Sequence, residues 1–278
     1  GLNRQQSITW RTLRHHDGAG WKMTMTEARV PNLASSVNPM RARPCPHNPS
    51  VSCSSCRLSA LCLPISLNKS EIVQLDEIIE RNRPLRKGEH LYRQNDEFRS
   101  VFAVRSGSFK SYVLGADGQS RVTGFYMPGE IIGMDGIATR KHGVSTMALE
   151  HSSICEIPFS QLEKLSHQLP NLQSRFFVIM GNEIVKDQQI HTLLSSYTAE
   201  QRLASFLLIL SSRYARCQLS PDRFLLHMTR SDIGEYLGLT LETVSRVFSA
   251  MQKKELITVK NREIEIRDMA KLRAILGE

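Results

Sequence analysis

No stretch of this chain approaches the roughly 20 uninterrupted apolar residues of a membrane-spanning helix, so a soluble protein without a membrane partner is expected. A disulfide scaffold is excluded too, because six cysteines among 278 residues are too few to staple it. Acidic residues are the minority charge: 27 Asp and Glu against 36 Lys and Arg leave a net +9. That surplus points to nucleic acid or another anionic partner without choosing between them. The patterns of an enzyme are missing: no phosphate-binding glycine loop, no H-E-x-x-H pair and no nucleophile–base constellation. His15-His16, His47, His142 and His151 are scattered, as surface or structural histidines are. An electron carrier or enzyme would need a substrate site, and none is visible. What is present is ordinary globular material, 41% hydrophobic and 23% charged, in a length that suits two domains.

The charge is unevenly placed. Residues 1–44 hold Arg4, Arg11, Arg14, Lys22, Arg29, Arg41 and Arg43 against Asp17 and Glu27, a net +5 and more than half the surplus. This segment lacks steady periodicity and ends in the proline-rich stretch Pro39 to Pro49. It reads as a mobile, non-essential basic tail, with a DNA-touching arm or a transit peptide as weaker alternatives.

Beyond it, Ser66–Arg83 carries a helical stripe of Leu67, Ile72, Leu75, Ile78 and Ile79. Short runs follow at His90–Arg93, Ser100–Arg105, Phe109–Leu114, Arg121–Phe125 and Thr146–Ile157, separated by glycine turns. Such spacing predicts a small antiparallel β-barrel or sandwich. Pro158 to Leu165 begins a helical stretch. Pro170 then opens a long helix running to about Leu194, with Leu172, Phe176, Ile179, Met180, Ile184, Ile190 and Leu194 as its stripe. The length favours a dimer seam over a core helix, and Asp187 falls close to it. Ala199–Arg216, Thr229–Tyr236 and Leu241–Lys254 are helical. The last two flank Leu237-Gly238-Leu239, which makes a helix-turn-helix. Leu256–Val259 and Glu263–Arg267 read as a hairpin wing.

Two constellations carry chemistry. Glu242, Ser245 and Arg246 fall at i, i+3 and i+4 on the second helix of the unit. In a major groove Arg bonds guanine bidentately, Glu accepts from a cytosine amino group and Ser serves base or phosphate. Thr229 and Thr240 suit the helix N-caps, and Arg230, Thr243, Lys253 and Lys254 lie within reach of phosphates. The bland reading is an exposed Glu-to-Arg pair on any helix. The second constellation is Cys53-x2-Cys56-x5-Cys62, three thiols able to bind one metal centre. Cys155 is a candidate fourth ligand, with a buried structural thiol as its alternative. Sulfur ligands suit zinc or an iron–sulfur cluster, and spacing does not choose between them. Cys45 and Cys217 read as ordinary cysteines.

These cysteines, Leu61-Cys62-Leu63-Pro64, Ile78-Ile79-Glu80-Arg81, Ala103 to Gly107, Ala148-Leu149-Glu150, Cys155 to Phe159, Asp232 to Leu239 and Glu242 to Arg246 carry a family likeness. The chain resembles the cyclic-AMP receptor protein superfamily and, within it, the fumarate and nitrate reduction (FNR) regulators, over roughly residues 50–270. The resemblance implies an α+β fold, in which a β-roll sensor domain like those that bind cyclic nucleotides precedes a long dimerisation helix and a C-terminal winged helix-turn-helix. The corresponding divisions are a mobile basic tail at 1–44, the cluster-binding segment and β-roll at 45–165, the dimerisation helix at 166–196 and the DNA-binding domain at 197–278. It also implies a [4Fe–4S] cluster on Cys53, Cys56, Cys62 and Cys155, converted by oxygen to [2Fe–2S] with loss of the dimer and of DNA affinity. Phe176, Ile179, Met180, Ile184 and Ile190 would line the dimer interface, where Asp187 repels its copy in the cluster-free form. Implied partners are double-stranded DNA, RNA polymerase near the loop Gly115–Gly118, and a second copy of the chain, in the cytoplasm. Two departures matter. Cyclic-nucleotide binders carry an Arg-Ser-Ala-type segment where this chain reads Gly143-Val144-Ser145-Thr146, so cyclic AMP is not expected as a cofactor. Leu241 stands where cyclic-AMP receptors carry Arg, which implies TTGAT and ATCAA half-sites in place of the TGTGA type.

Overall fold

Asn68 fixes where the first helix begins: its side chain accepts from the Glu71 N–H, and Glu71 accepts from the Asn68 N–H in return, a capping box. The computed structural model describes residues 52–115 and 118–277; the basic segment 1–44, Cys45, His47 and the middle of the Gly115–Gly118 loop lie outside the described residues. Helix α1 spans Lys69–Glu77, shorter than the expected Ser66–Arg83. Past it Ile78 and Ile79 pack against the core, and Glu80 exchanges backbone hydrogen bonds with Glu156 at 2.8 and 2.9 Å. A tertiary strand pairing overrides the local helical pattern there.

Seven strands follow: β1 (His90–Tyr92), β2 (Ser100–Ser106), β3 (Phe109–Leu114), β4 (Ser120–Tyr126), β5 (Ile131–Ile132), β6 (Ser145–Ala148) and β7 (Ser153–Pro158). They form two antiparallel sheets, ordered β1-β6-β3-β4 and β5-β2-β7. The expected single run Thr146–Ile157 divides: the chain leaves the first sheet after Ala148, turns, and enters the second at Ser153. Phe102, Val104, Phe109, Ile132 and Ile154 fill the space between the sheets. Helix α2 (Phe159–Gln168) leads to α3 (Pro170–Ser196), which Pro170 opens at a position where its missing N–H costs little. Leu162, Leu172 and Ile179 of these helices share a core with Val101 and Ile157.

Helix α4 (Ala199–Arg216) starts at a Thr198–Gln201 capping box and precedes α5 (Arg230–Leu237) and α6 (Leu241–Lys253). Strands β8 (Arg223–Leu225), β9 (Ile257–Lys260) and β10 (Glu263–Ile266) make the wing in the order β8-β10-β9, and α7 (Met269–Ala274) closes the chain. β5, β8 and α7 were not anticipated, because segments of two, three and six residues are too short to show a period. The architecture is α+β: a β-roll, a long helix and a winged helix-turn-helix.

The helix-turn-helix rests on the β-roll through a shared core. Val122, Phe125 and Met127 pack with Phe206, Leu207 and Ile233, and the Phe125 ring meets Tyr236 at 5.1 Å. Lys110 on β3 pairs with Asp232 on α5, whose carboxylate also accepts from the Thr229 N–H at 2.8 Å. Burial works to raise the Asp232 carboxyl, but Lys110 and Thr229 outweigh it and hold it below its usual range. A depressed carboxylate contributes stability that is complete above its unfolded pKa, about 3.9, and is lost as pH falls through the folded value. Urea denaturation is therefore expected to find Lys110→Met less stable than the parent at neutral pH. The gap should close as pH is lowered below about 4; one that stays constant with pH would show the pair contributes nothing through charge.

Candidate functional site

Three cysteines lie on tight turns. Cys53 opens a 3₁₀ turn, Cys53–Ser55, whose end is marked by the Cys56 N–H bonded to the Cys53 carbonyl at 3.3 Å. The Cys62 N–H bonds the Leu58 carbonyl at 2.9 Å, and Cys62 precedes a second 3₁₀ turn, Leu63–Ser66. Cys155 comes from β7, paired with Ala103 of β2. The fold brings all four around one pocket whose wall includes Leu63, Leu75, Ile157 and Arg105. None of the four forms a disulfide. Among the described residues, no three His, Cys, Asp or Glu side chains are already arranged to hold one metal ion.

Burial sets the chemistry of these thiols. It pushes Cys62 up to about 12, against the Leu63 N–H and, more weakly, the Arg175 charge. It also raises Cys53, aided by the Asp76 carboxylate, and raises Cys155 against the charges of Arg105 and Arg81. At neutral pH these three are therefore protonated thiols, and a metal or cluster must displace protons to bind. Asp76 accepts from the Cys53 N–H at 2.8 Å and pairs with Arg81, which ties the first turn to α1. Arg105 thus lines the pocket, Arg81 is held beside it by Asp76, and Arg175 bonds the Leu61 carbonyl next to Cys62. The Nε–H groups of Arg81 and Arg175 are buried and meet no acceptor among the described residues. A set of four soft sulfur donors, a pocket to enclose a group and cations to offset thiolate charge make Cys53, Cys56, Cys62 and Cys155 able to hold an iron–sulfur cluster. The cations were not singled out from sequence, although Arg81 and Arg105 lie within segments noted for family likeness.

The second site is the helix-turn-helix. The Thr229 hydroxyl accepts from the Asp232 N–H at 3.1 Å and the Thr240 hydroxyl from the Thr243 N–H at 3.2 Å, so both threonines are N-caps. Gly238, at φ +63°, closes α5 in the left-handed region. A Cβ at Gly234 would lie 2.6 Å from the Leu239 carbonyl oxygen, so the turn excludes any side chain there. Val244, Phe248 and Met251 bury one face of α6, which leaves Glu242, Ser245 and Arg246 together on its open face beside exposed Leu241. Thr243 is half-buried. Arg230 lies 3.4 Å over the Phe248 ring and is half-buried. Lys254 pairs with Glu200 at 2.7 Å.

Helix α3 divides its apolar residues between two sides. Leu172, Ile179 and Leu193 are buried in the chain's own cores, and Phe176 packs against Phe159. Met180 and Ile190 are half-buried, while Ile184 and Asp187 are exposed. Phe177, Val178 and Val185 join Ile184 on the exposed side, and Phe177–Ile184 and Val178–Val185 each repeat at seven residues. The sequence stripe took in Ile184 but missed these three, because most of its members lie on the buried side of the same helix. In the β-roll, Glu130 is engaged by Arg213, by Arg216 and by the Met127 N–H.

Comparisons with known proteins agree with this layout. The cyclic nucleotide-binding domain family matches residues 82–168 and the Crp-like helix-turn-helix domain family residues 201–275. The transcriptional activator protein Anr of Pseudomonas protegens is 48% identical over 225 residues, 81% of this chain and 92% of that protein. The fumarate and nitrate reduction regulatory protein of Vibrio cholerae is 44% identical over 227 residues, 82% of this chain and 91% of that protein. Among solved structures, FixK2 from Bradyrhizobium japonicum aligns with a TM-score of 0.66 at 28% identity, covering 71% of this chain and 97% of that one. Similarity of this degree along both the β-roll and the helix-turn-helix makes the chain a member of the FNR/Anr-type transcriptional regulators, DNA-binding proteins and not enzymes.

Proposed function

We propose that this regulator responds to oxygen: a homodimer while a [4Fe–4S] cluster is intact, it binds a palindromic FNR-like site in double-stranded DNA and acts with RNA polymerase in the cytoplasm to control anaerobic gene expression. The observation that carries the reading is the convergence of Cys155 with Cys53, Cys56 and Cys62 on one pocket. Four thiols on one pocket supply the four ligands that an iron–sulfur cluster takes. A cluster held by Cys53, Cys56, Cys62 and Cys155 would supply an oxygen-labile centre, and its loss would end the DNA-binding state. Phe177, Ile184 and Val185 offer apolar surface for a second copy, and exposed Asp187 opposes the same contact through like-charge repulsion. Such an opposed pair of terms makes a dimer marginal enough to switch. Cyclic AMP is not the effector on this reading, since Glu130 is engaged by arginines and no cation stands in Gly143–Thr146.

One anaerobic absorbance spectrum tests the reading. A broad visible band that bleaches in air supports the cluster, and a colourless protein holding zinc, or reversible thiol oxidation alone, would replace it. The DNA arm of the test uses Arg246→Ala. Loss of one bidentate base contact should weaken binding to the palindrome by about 1–3 kcal/mol and relax selectivity at one position. A uniform loss on all sequences would instead make Arg246 a phosphate contact.

A further inference from the structure

Arg175 belongs to α3, yet its guanidinium is anchored on the cysteine loop: Nη2 donates to the Leu61 carbonyl at 2.8 Å. Leu61 adjoins Cys62, so the bond from Arg175 is made to the residue next to a proposed ligand. The Nε–H of the same side chain is buried without an acceptor among the described residues. Two residues further along α3 begins the exposed pair Phe177 and Val178. One side chain thus touches the loop that carries a proposed ligand and stands on the helix that carries the apolar row.

We infer that Arg175 is the positioning residue through which occupancy of the cysteine pocket biases α3 towards the dimer, an inference that rests on the reading proposed above. Four thiolates around iron leave the pocket with excess negative charge. Cluster sulfurs and thiolates accept hydrogen bonds from such donors. The buried Nε–H then gains an acceptor while Nη2 keeps the Leu61 carbonyl, and the planar fork of arginine holds both in fixed relation. An emptied pocket removes the charge and the acceptor, and α3 loses that constraint. Asn171, which donates from α3 to Glu71 of α1 at 3.2 Å, links the same helix to a neighbour without reaching the cysteines and serves as the control.

The test compares the full chain with Arg175→Gln and Asn171→Ala, each reconstituted anaerobically with iron and sulfide and then emptied with a chelator. Iron content and the dimer dissociation constant from sedimentation equilibrium are read in both states. In the parent the loaded form is expected to dimerise at least about tenfold more tightly than the empty form. Arg175→Gln, reconstituted with enough iron and sulfide to match the parent's iron content, should show a ratio below about threefold, while Asn171→Ala keeps the parental ratio. A residue with only a structural role would weaken both states alike and leave the ratio unchanged. Arg175→Lys, which keeps the charge but not the fork, is read in the same way should the glutamine variant fail to fold. An Arg175 variant with the parental ratio overturns the inference alone; a parent chain that takes up no iron overturns the underlying reading as well.

Discussion

Cys155→Ser is expected to strip the purified protein of iron while leaving its fold intact. The substitution changes one atom on β7 and touches none of the backbone bonds that hold Cys155 opposite Ala103. A serine hydroxyl is no substitute for a soft thiolate, and the three remaining cysteines all come from the single segment 53–62. Replacing a residue behind a metal ligand typically costs 10–100-fold in affinity, so losing a ligand should exceed about 100-fold. The measurement is iron per chain after anaerobic reconstitution, with thermal melting of the empty protein as the check on folding. Cys217→Ser is the matched control: its sulfur sits 3.5 Å from the Pro128 carbonyl, away from the pocket, and its iron content should equal the parent's. Parental iron in Cys155→Ser would remove this residue from the ligand set and leave Cys53, Cys56 and Cys62 in need of another partner.

Arg213→Ala should destabilise the empty protein by about 3–5 kcal/mol in urea denaturation. Arg213 reaches from α4 to Glu130 of the β-roll, Nε donating to Oε1 at 2.8 Å, and Nη2 donates to the Phe125 carbonyl at 2.6 Å. The two side chains are only 11% and 12% exposed. Burial works to raise the Glu130 carboxyl, but Arg213 and then Lys186 outweigh it, keeping it charged. Removing the arginine leaves a buried carboxylate with Arg216, 3.4 Å away and largely exposed, as its remaining cationic hydrogen-bond partner. The penalty is that of an orphaned charge, so Glu130→Gln combined with Arg213→Met should cost less than Arg213→Ala alone. A single-variant loss below about 1 kcal/mol would mean water reaches Glu130 and the pair behaves as a surface one.

Elements with strong local patterns were legible before any fold was known. β3 at Phe109–Leu114 and α4 at Ala199–Arg216 have the boundaries their periodicity and caps predict. The helix-turn-helix was legible for the same reason, since Thr229, Gly238 and Thr240 are punctuation read within a few residues. Failures came where distant partners decide. The helix expected to Arg83 stops at Glu77 because Glu80 pairs with Glu156, and the run from Thr146 splits between two sheets. On α3 a single stripe was visible where the structure has two sides, one facing the chain's own core and one facing out.

The sequence by itself determined the donor chemistry and the reading helix: which residues are thiols, which side chains recur on one face of α6, and which residues cap and turn the chain between them. Only the tertiary structure decided that Cys155 joins the turn-borne cysteines, that Arg105 lines their pocket while Arg175 bonds the cysteine loop at Leu61, and that Arg213 and Lys110 tie the β-roll to the DNA-binding helices. The reason is physical. Caps and periods act through bonds a few residues apart, whereas burial and charge compensation act through space between segments whose separation along the chain carries no pattern.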